Sequence, residues 1–249
     1  MANGSLDARL YPHAENGLSA GSLDLCLLQR VNICSDIAQG MAYLHHHSPV
    51  KVIHCDLRPR NVLLNDDMIA LVSDFGIARL VMTVEAASNG GMIENMGNST
   101  ANMLCGSISY IAPEYGFRAS TSTKGDVYSF GVLVLEMVTR KRPTDDMFVA
   151  AGQSLHKYVK NHYIVRLENV VDHSLLRALR DQSREVMRMW EVAIGELIEL
   201  GLLCTQESAS MRPTMLDRLC RRLGSPQELP KWRYHCHILI FTRNIIFNI

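Results

Sequence analysis

The 249-residue sequence lacks an excess of either charge, with 25 Lys and Arg against 25 Asp and Glu. That balance argues against electrostatic binding of DNA or RNA by the whole domain. It lacks a cysteine framework too. Its seven cysteines are odd in number and scattered, with no C-x-x-C pair. Neither a zinc site nor a set of disulfides is expected, and a reducing compartment fits best. Sixteen glycines and eight prolines are ordinary usage, which excludes collagen-like and low-complexity chains. No basic segment followed by an apolar stretch opens the chain, so no signal peptide is expected. The most apolar runs, 126–139 and 237–249, are too short to span a bilayer. The triplets Asn3-Gly4-Ser5 and Asn98-Ser99-Thr100 are chance-level glycosylation sequons in a cytosolic chain. No two glycines stand two apart, so G-x-G is absent, and the first lysine is Lys51.

What is present is enough to fold. Apolar residues make up 47% and charged residues 20%, which excludes a disordered tail. Residues 22–45 place Leu27, Val31, Cys34, Ala38, Met41 and Leu44 at helical spacing. Val50 to Ile53 reads as a strand. Val62-Leu63-Leu64 and Ala70-Leu71-Val72 read as a hairpin across Asn65-Asp66-Asp67. Residues 83–109 are polar and without period, which predicts a long loop. Residues 126–139 are apolar on nearly every face, the pattern of a helix inside a core. Residues 184–205 predict another helix, with Met187, Trp190, Ile194 and Leu197 on one face and Trp190 in the core. A last short helix is expected from Met211-Arg212-Pro213-Thr214. His45-His46-His47 at the end of the first helix predict favourable dipole contacts rather than a metal site.

Three motifs stand in one order: His54-Cys55-Asp56-Leu57-Arg58-Pro59-Arg60-Asn61, then Asp74-Phe75-Gly76, then Ala112-Pro113-Glu114. Singly each is weak, but together, with a hairpin between the first two, they match the protein-kinase signature set. Gly125 to Gly131 resembles the start of the buried central helix of the kinase large lobe. Arg212 resembles the late arginine that pairs with the A-P-E glutamate. The chain most closely resembles plant leucine-rich-repeat receptor-like serine/threonine kinases. The phrases IAQGMAYLHH, VIHCDLRPRNVLL, SDFGIARL, GSISYIAPEYG and GDVYSFGVLVLEMVTRKRPTD carry the likeness.

That resemblance implies a mainly α (α+β) fold: a kinase large lobe with short β-hairpins at the active face, its small lobe absent. It would cover residues 1–224, with 225–249 a divergent tail. The implied chemistry is transfer of the ATP γ-phosphoryl group to Ser or Thr of a protein. Such a reaction needs a positioned hydroxyl and neutralised phosphate charge. Asp56 would orient the hydroxyl proton, and Arg58 would stand beside the phosphate where the family has lysine. Asn61 and Asp74 would hold Mg²⁺ with ATP, and Ser107 would lie in the substrate loop where the family usually has Thr. Asp126 would bind backbone amides near the catalytic loop, His54 would be packed and structural, and Glu114 with Arg212 a buried pair.

Cys55 occupies the position of the arginine that meets an activation-loop phosphate in many kinases. It implies the non-RD type, with innate immune signalling as a family-level expectation. The implied partners are Ser/Thr protein substrates and other receptor kinases, at the cytoplasmic face of the membrane, with no nucleic acid and no membrane insertion. Without G-x-G or an early strand lysine, the alternative is an inactive fragment or binding scaffold.

Overall fold

The computed structural model describes residues 1–12, 24–85, 92–96, 106–117, 121–180 and 182–216. The expected tail 225–249 lies outside them, as does the triplet Asn98-Ser99-Thr100. Short helix α1 (Leu6–Leu10) begins at Ser5, whose hydroxyl accepts the Ala8 amide. Helix α2 (Leu27–Ala42) starts later than expected. Cys26 is its extended N-cap residue, and its amide donates to the Gln29 side chain. The chain then widens into a π turn, Tyr43–His47, closed by Ser48 N–H to the Tyr43 carbonyl at 2.8 Å.

Strand β1 (Lys51–Ile53) follows. The expected hairpin is formed by β2 (Val62–Leu64) and β3 (Ala70–Val72), with Val62 opposite Val72. Its turn closes on Asn65, whose Oδ1 accepts the amides of Asp67 (3.0 Å) and Ile69 (2.9 Å). A short polar side chain that mimics backbone is why Asn opens such turns.

The stretch 83–109, read as one long loop, contains one whole strand and the end of another, a correction to the sequence reading. Strand β4 (Arg79–Glu85) pairs antiparallel with β1, and β5 (Met92–Met96) pairs with β4. The β-branched Val81, Thr83 and Val84 supported β4. The segment MIENM has no strand pattern of its own, and the backbone ladder to β4 defines β5.

Helix α3 (Thr123–Thr139) is the central element, and nearly every residue from Gly125 on is buried. Helices α4 (Asp146–Ala150), α5 (Leu155–Tyr163) and α6 (His173–Leu179) lead to α7 (Arg184–Cys204). Ile194, Leu197, Ile198, Leu200 and Cys204 of α7 are buried, whereas Trp190 packs half-buried at the core's edge. The expected helix at Met211 is displaced. Ala209–Met211 is a 3-10 turn and Arg212 is extended, as a residue before proline prefers. Helical backbone resumes at Met215, close to the end of the described chain. Among the described residues no helix is long and apolar enough to cross a membrane.

Helices α3 and α7 cross through glycine. A Cβ on Gly131 would lie 2.6 Å from Cys204 Cβ and 2.9 Å from the Gly201 carbonyl oxygen. One on Gly201 would lie 2.5 Å from Leu135 Cδ2. Gly131→Ala therefore forces the two helices apart, and overpacking of this kind costs about 1–3 kcal/mol. Urea unfolding should show the loss. Gly116→Ala, whose added carbon meets nothing within 4 Å, should show far less.

Candidate active site

The polar residues singled out in the sequence meet where β1 leaves its sheet and the β2–β3 hairpin begins. Asp126, in the first turn of α3, is 1% exposed. Its Oδ2 accepts the His54 amide at 2.8 Å and its Oδ1 accepts the Cys55 amide at 2.9 Å. The expected backbone contacts are present. The same Oδ2 lies 2.8 Å from His45 Nε2. His45 is thus no dipole partner at a helix end but a buried donor to Asp126, a correction to the sequence reading. Among the described residues no group of three or more His, Cys, Asp or Glu is arranged to hold a metal.

These contacts hold a strained backbone. Cys55 adopts φ 67° and Asp74 φ 66°. A non-glycine residue in the left-handed region costs about 1–2 kcal/mol, which at Cys55 the bond of its amide to Asp126 offsets. The Cys55 thiol is buried, 3.6 Å from the Ile53 carbonyl. It packs with Ile53 and Val81 in a small cluster beneath the β1–β4 ribbon.

His54 is fully buried, as expected for a structural histidine. Its Nδ1 accepts the Asp56 amide at 3.2 Å, so Nε2 carries the proton and donates to the Ser73 carbonyl at 3.0 Å. Its ring meets Phe75 edge-on at 5.0 Å. One imidazole thereby joins the start of the Asp56 loop to the residue before Asp74.

Asp56 collects the remaining contacts. Asn61 Nδ2 donates both to its carbonyl oxygen and to its Oδ2, each at 2.8 Å. Ser107 Oγ donates to its Oδ1 at 2.7 Å. Arg58 Nε stands 3.5 Å from Oδ2. The carboxylate stays 13% exposed, open on one side. Asn61 is itself tied to the second hairpin strand, because its carbonyl accepts both Ser73 N–H (2.8 Å) and Ser73 Oγ (3.0 Å). Asp74 is the next residue, exposed, its Oδ1 accepting the Gly76 amide at 3.4 Å. Asp56, Arg58, Asn61 and Ser107 thus meet directly, and Asp74 joins them through Ser73.

The donors suit a hard cation. With the Asn61 NH₂ group held by Asp56, the carboxamide's other polar atom, Oδ1, and the exposed Asp74 carboxylate are both oxygen ligands of the kind Mg²⁺ prefers.

Sequence reasoning passed over Gly106. Its φ is 116°, and a Cβ there would lie 2.5 Å from the Cys55 carbonyl oxygen. Only glycine lets the chain cross Cys55 closely enough for Ser107 to reach Asp56. A glycine immediately before a serine in a loop was the available signal.

A protein tyrosine and serine/threonine kinase family model matches residues 1–223. A leucine-rich repeat receptor-like serine/threonine-protein kinase of Arabidopsis thaliana is 52% identical over 218 residues, covering 87% of this chain and 22% of the relative. A second LRR receptor-like serine/threonine-protein kinase of the same plant is 40% identical over 212 residues, covering 85% and 20%. The receptor kinase-like protein Xa21 of Oryza sativa subsp. japonica is 40% identical over 211 residues, covering 83% and 19%. The chain spans about a fifth of the length of these relatives.

Proposed function

The chain belongs to the protein tyrosine and serine/threonine kinase family, and from that premise we propose that its site serves transfer of a phosphoryl group to Ser or Thr of a protein. The observation that carries this reading is the direct hydrogen bonding of Asn61 and Ser107 to Asp56. Ser107 Oγ occupies the position an incoming alcohol would take, donating its proton to Oδ1. Asp56 would orient a substrate hydroxyl in the same way and hold its proton as the oxygen attacks. Asn61 clamps the other carboxylate oxygen, so the base faces one direction. The Arg58 guanidinium, beside the same carboxylate, would offer charge to the transferring phosphate, with a planar fork in place of an ammonium. Bound Mg-ATP supplies the γ-phosphoryl group and the cation that neutralises it, and Asn61 Oδ1 with Asp74 would hold that cation.

Cys55 supports the non-RD type. A buried thiol turned toward the Ile53 carbonyl cannot meet a loop phosphate. Receptor-type signalling at the cytoplasmic face of a membrane, with immune receptors as the nearest functional class, follows from the same resemblance. Other receptor kinases and Ser/Thr protein substrates are the partners it implies.

A second reading is favoured by a specific observation. Phe75 (43%), Ile77 (43%) and Leu80 (59%) leave apolar surface exposed beside the site. In that reading the polypeptide binds partners without transferring phosphate. Incubation of the full chain with Mg-ATP and a generic protein substrate separates the two. Label on Ser or Thr that disappears in Asp56→Asn supports transfer. No label, together with no nucleotide binding by calorimetry, overturns it for this chain.

A further inference from the structure

We propose that Arg140 and Arg142, at the end of α3, are positioning residues that hold the Asn61 turn in place through α1. The role rests on the reading of Asn61 as a cation holder. Arg140 ends α3 in the left-handed region, with φ 52° and ψ 36°. Helices commonly end on glycine in that conformation, because a side chain there is strained. Here an arginine stands in that place, and its side chain is engaged. Its Nε donates to the carbonyl of Leu10, the last residue of α1, at 2.7 Å. Its Nη1 donates to Asp24 Oδ1 at 2.8 Å, just before α2.

Arg142 reaches the same short helix. Its Nη1 donates to Asp7 Oδ1 at 2.7 Å, and its guanidinium lies 3.8 Å from the centre of the Tyr11 ring. Together the two arginines meet the first turn of α1, its last residue and the residue after it. Asp172 also lies 3.9 Å from Arg140, but it pairs with Arg30 at 2.5 Å, which leaves Asp24 as the nearer counter-charge.

Helix α1 needs such anchors, since five residues are too few for a helix to hold by itself in water. Leu6 and Leu10 are buried in the core that also contains Leu57, Val62 and Leu64. The opposite end of the helix is tied to the hairpin. The Asn3 amide donates to the Leu64 carbonyl at 3.2 Å, and the Leu64 amide donates to the Gly4 carbonyl at 2.9 Å. Helix α1 also packs directly on the 3-10 turn Pro59–Asn61. That turn closes with the Asn61 amide on the Arg58 carbonyl at 3.0 Å, so it sets Asn61 and Arg58 together. Helix α1 is thus a short brace between the end of α3 and the turn that carries Asn61. The Tyr11 hydroxyl adds a bond to Glu136 Oε1 at 2.9 Å. Release of the arginine contacts is therefore partial, and it loosens the turn without unfolding the chain.

Glycine separates contact from strain at position 140. It adopts a φ near 52° freely. Arg140→Gly therefore relaxes the backbone while it removes the bonds to Leu10 and Asp24. Any loosening then belongs to the lost contacts. An arginine with no positioning role would give a glycine variant as well ordered as the wild type.

Hydrogen exchange of the full chain without nucleotide tests this apart from any phosphate transfer. In Arg140→Gly the amides of Asn61 and Leu64 should lose protection severalfold, while that of Ile198 in α7 stays as in the wild type. Arg140→Lys, which keeps a charged donor, should recover part of the loss. Arg142→Gln should show the same pattern as the glycine variant, and it serves if that variant does not fold. In a chain that transfers phosphate, Arg140→Gly should also need severalfold more Mg²⁺ for half its maximal rate, with the rate at saturating Mg²⁺ near that of the wild type. A wild-type chain that transfers nothing overturns the transfer reading and leaves exchange to decide on the brace. Unchanged protection at Asn61 and Leu64, a fall that includes Ile198, or an unchanged Mg²⁺ requirement in an active chain overturns the proposal.

Discussion

Asp126→Ala is expected to lower stability by about 3–5 kcal/mol, the range found when one partner of a buried charged network is removed. Three groups would lose their acceptor together: the amides of His54 and Cys55 and the Nε2 of His45. All three residues are buried, so water does not readily replace the carboxylate. The left-handed Cys55 would also lose the bond that restrains it. Asp126→Asn should cost less, because one carboxamide oxygen can still accept, although its NH₂ would face a donor. Denaturant midpoints at constant slope would measure the difference. An alanine variant within about 1 kcal/mol of the wild type would mean that Asp126 does not organise the loop.

A comparable loss is expected for Arg212→Ala, again about 3–5 kcal/mol. All five N–H donors of this guanidinium are engaged. Two reach Glu114 Oε1 and Oε2 at 2.7 Å each. The others reach the carbonyls of Gln206 (2.8 Å), Lys124 (3.0 Å) and Glu207 (3.0 Å). The cation also sits 5.0 Å over the Tyr128 ring. Its side chain is 0% exposed, whereas Glu114 keeps 20%. The partners are therefore unequal. Glu114→Gln should cost clearly less, since the arginine keeps three carbonyls and one amide oxygen. A paired replacement by methionine at 114 and 212 should recover part of the loss, because an orphaned charge is dearer than no charge at all. Urea unfolding of the three variants would rank them. An arginine variant no worse than the glutamine one would contradict this account.

Much of the site was legible because its chemistry is local. Asp56 and Asn61 stand five apart across a short turn, and the β2–β3 pairing brings the Ser73–Asp74 corner back to Asn61. The buried run of α3 was equally plain, since a helix apolar on every side has no solvent face to offer. Less could be read where backbone pairing, not side-chain pattern, defines the element. The segment MIENM is a strand through its ladder to β4. His45 misled for a related reason. At the end of a helix it suggested dipole contacts, but the π turn carries it inward to α3.

The order of motifs, the hairpin with its Asn65 turn and the central helix were determined by the sequence alone, because spacing, turn chemistry and hydrophobic period act between near neighbours. The tertiary structure alone decided where buried charge ends up. His45 finds Asp126 from 81 residues away, Arg212 finds Glu114 from 98, and Tyr11 finds Glu136 from 125. A buried polar group must be satisfied by whatever packing brings within 3 Å of it, and which residue that is depends on the whole fold.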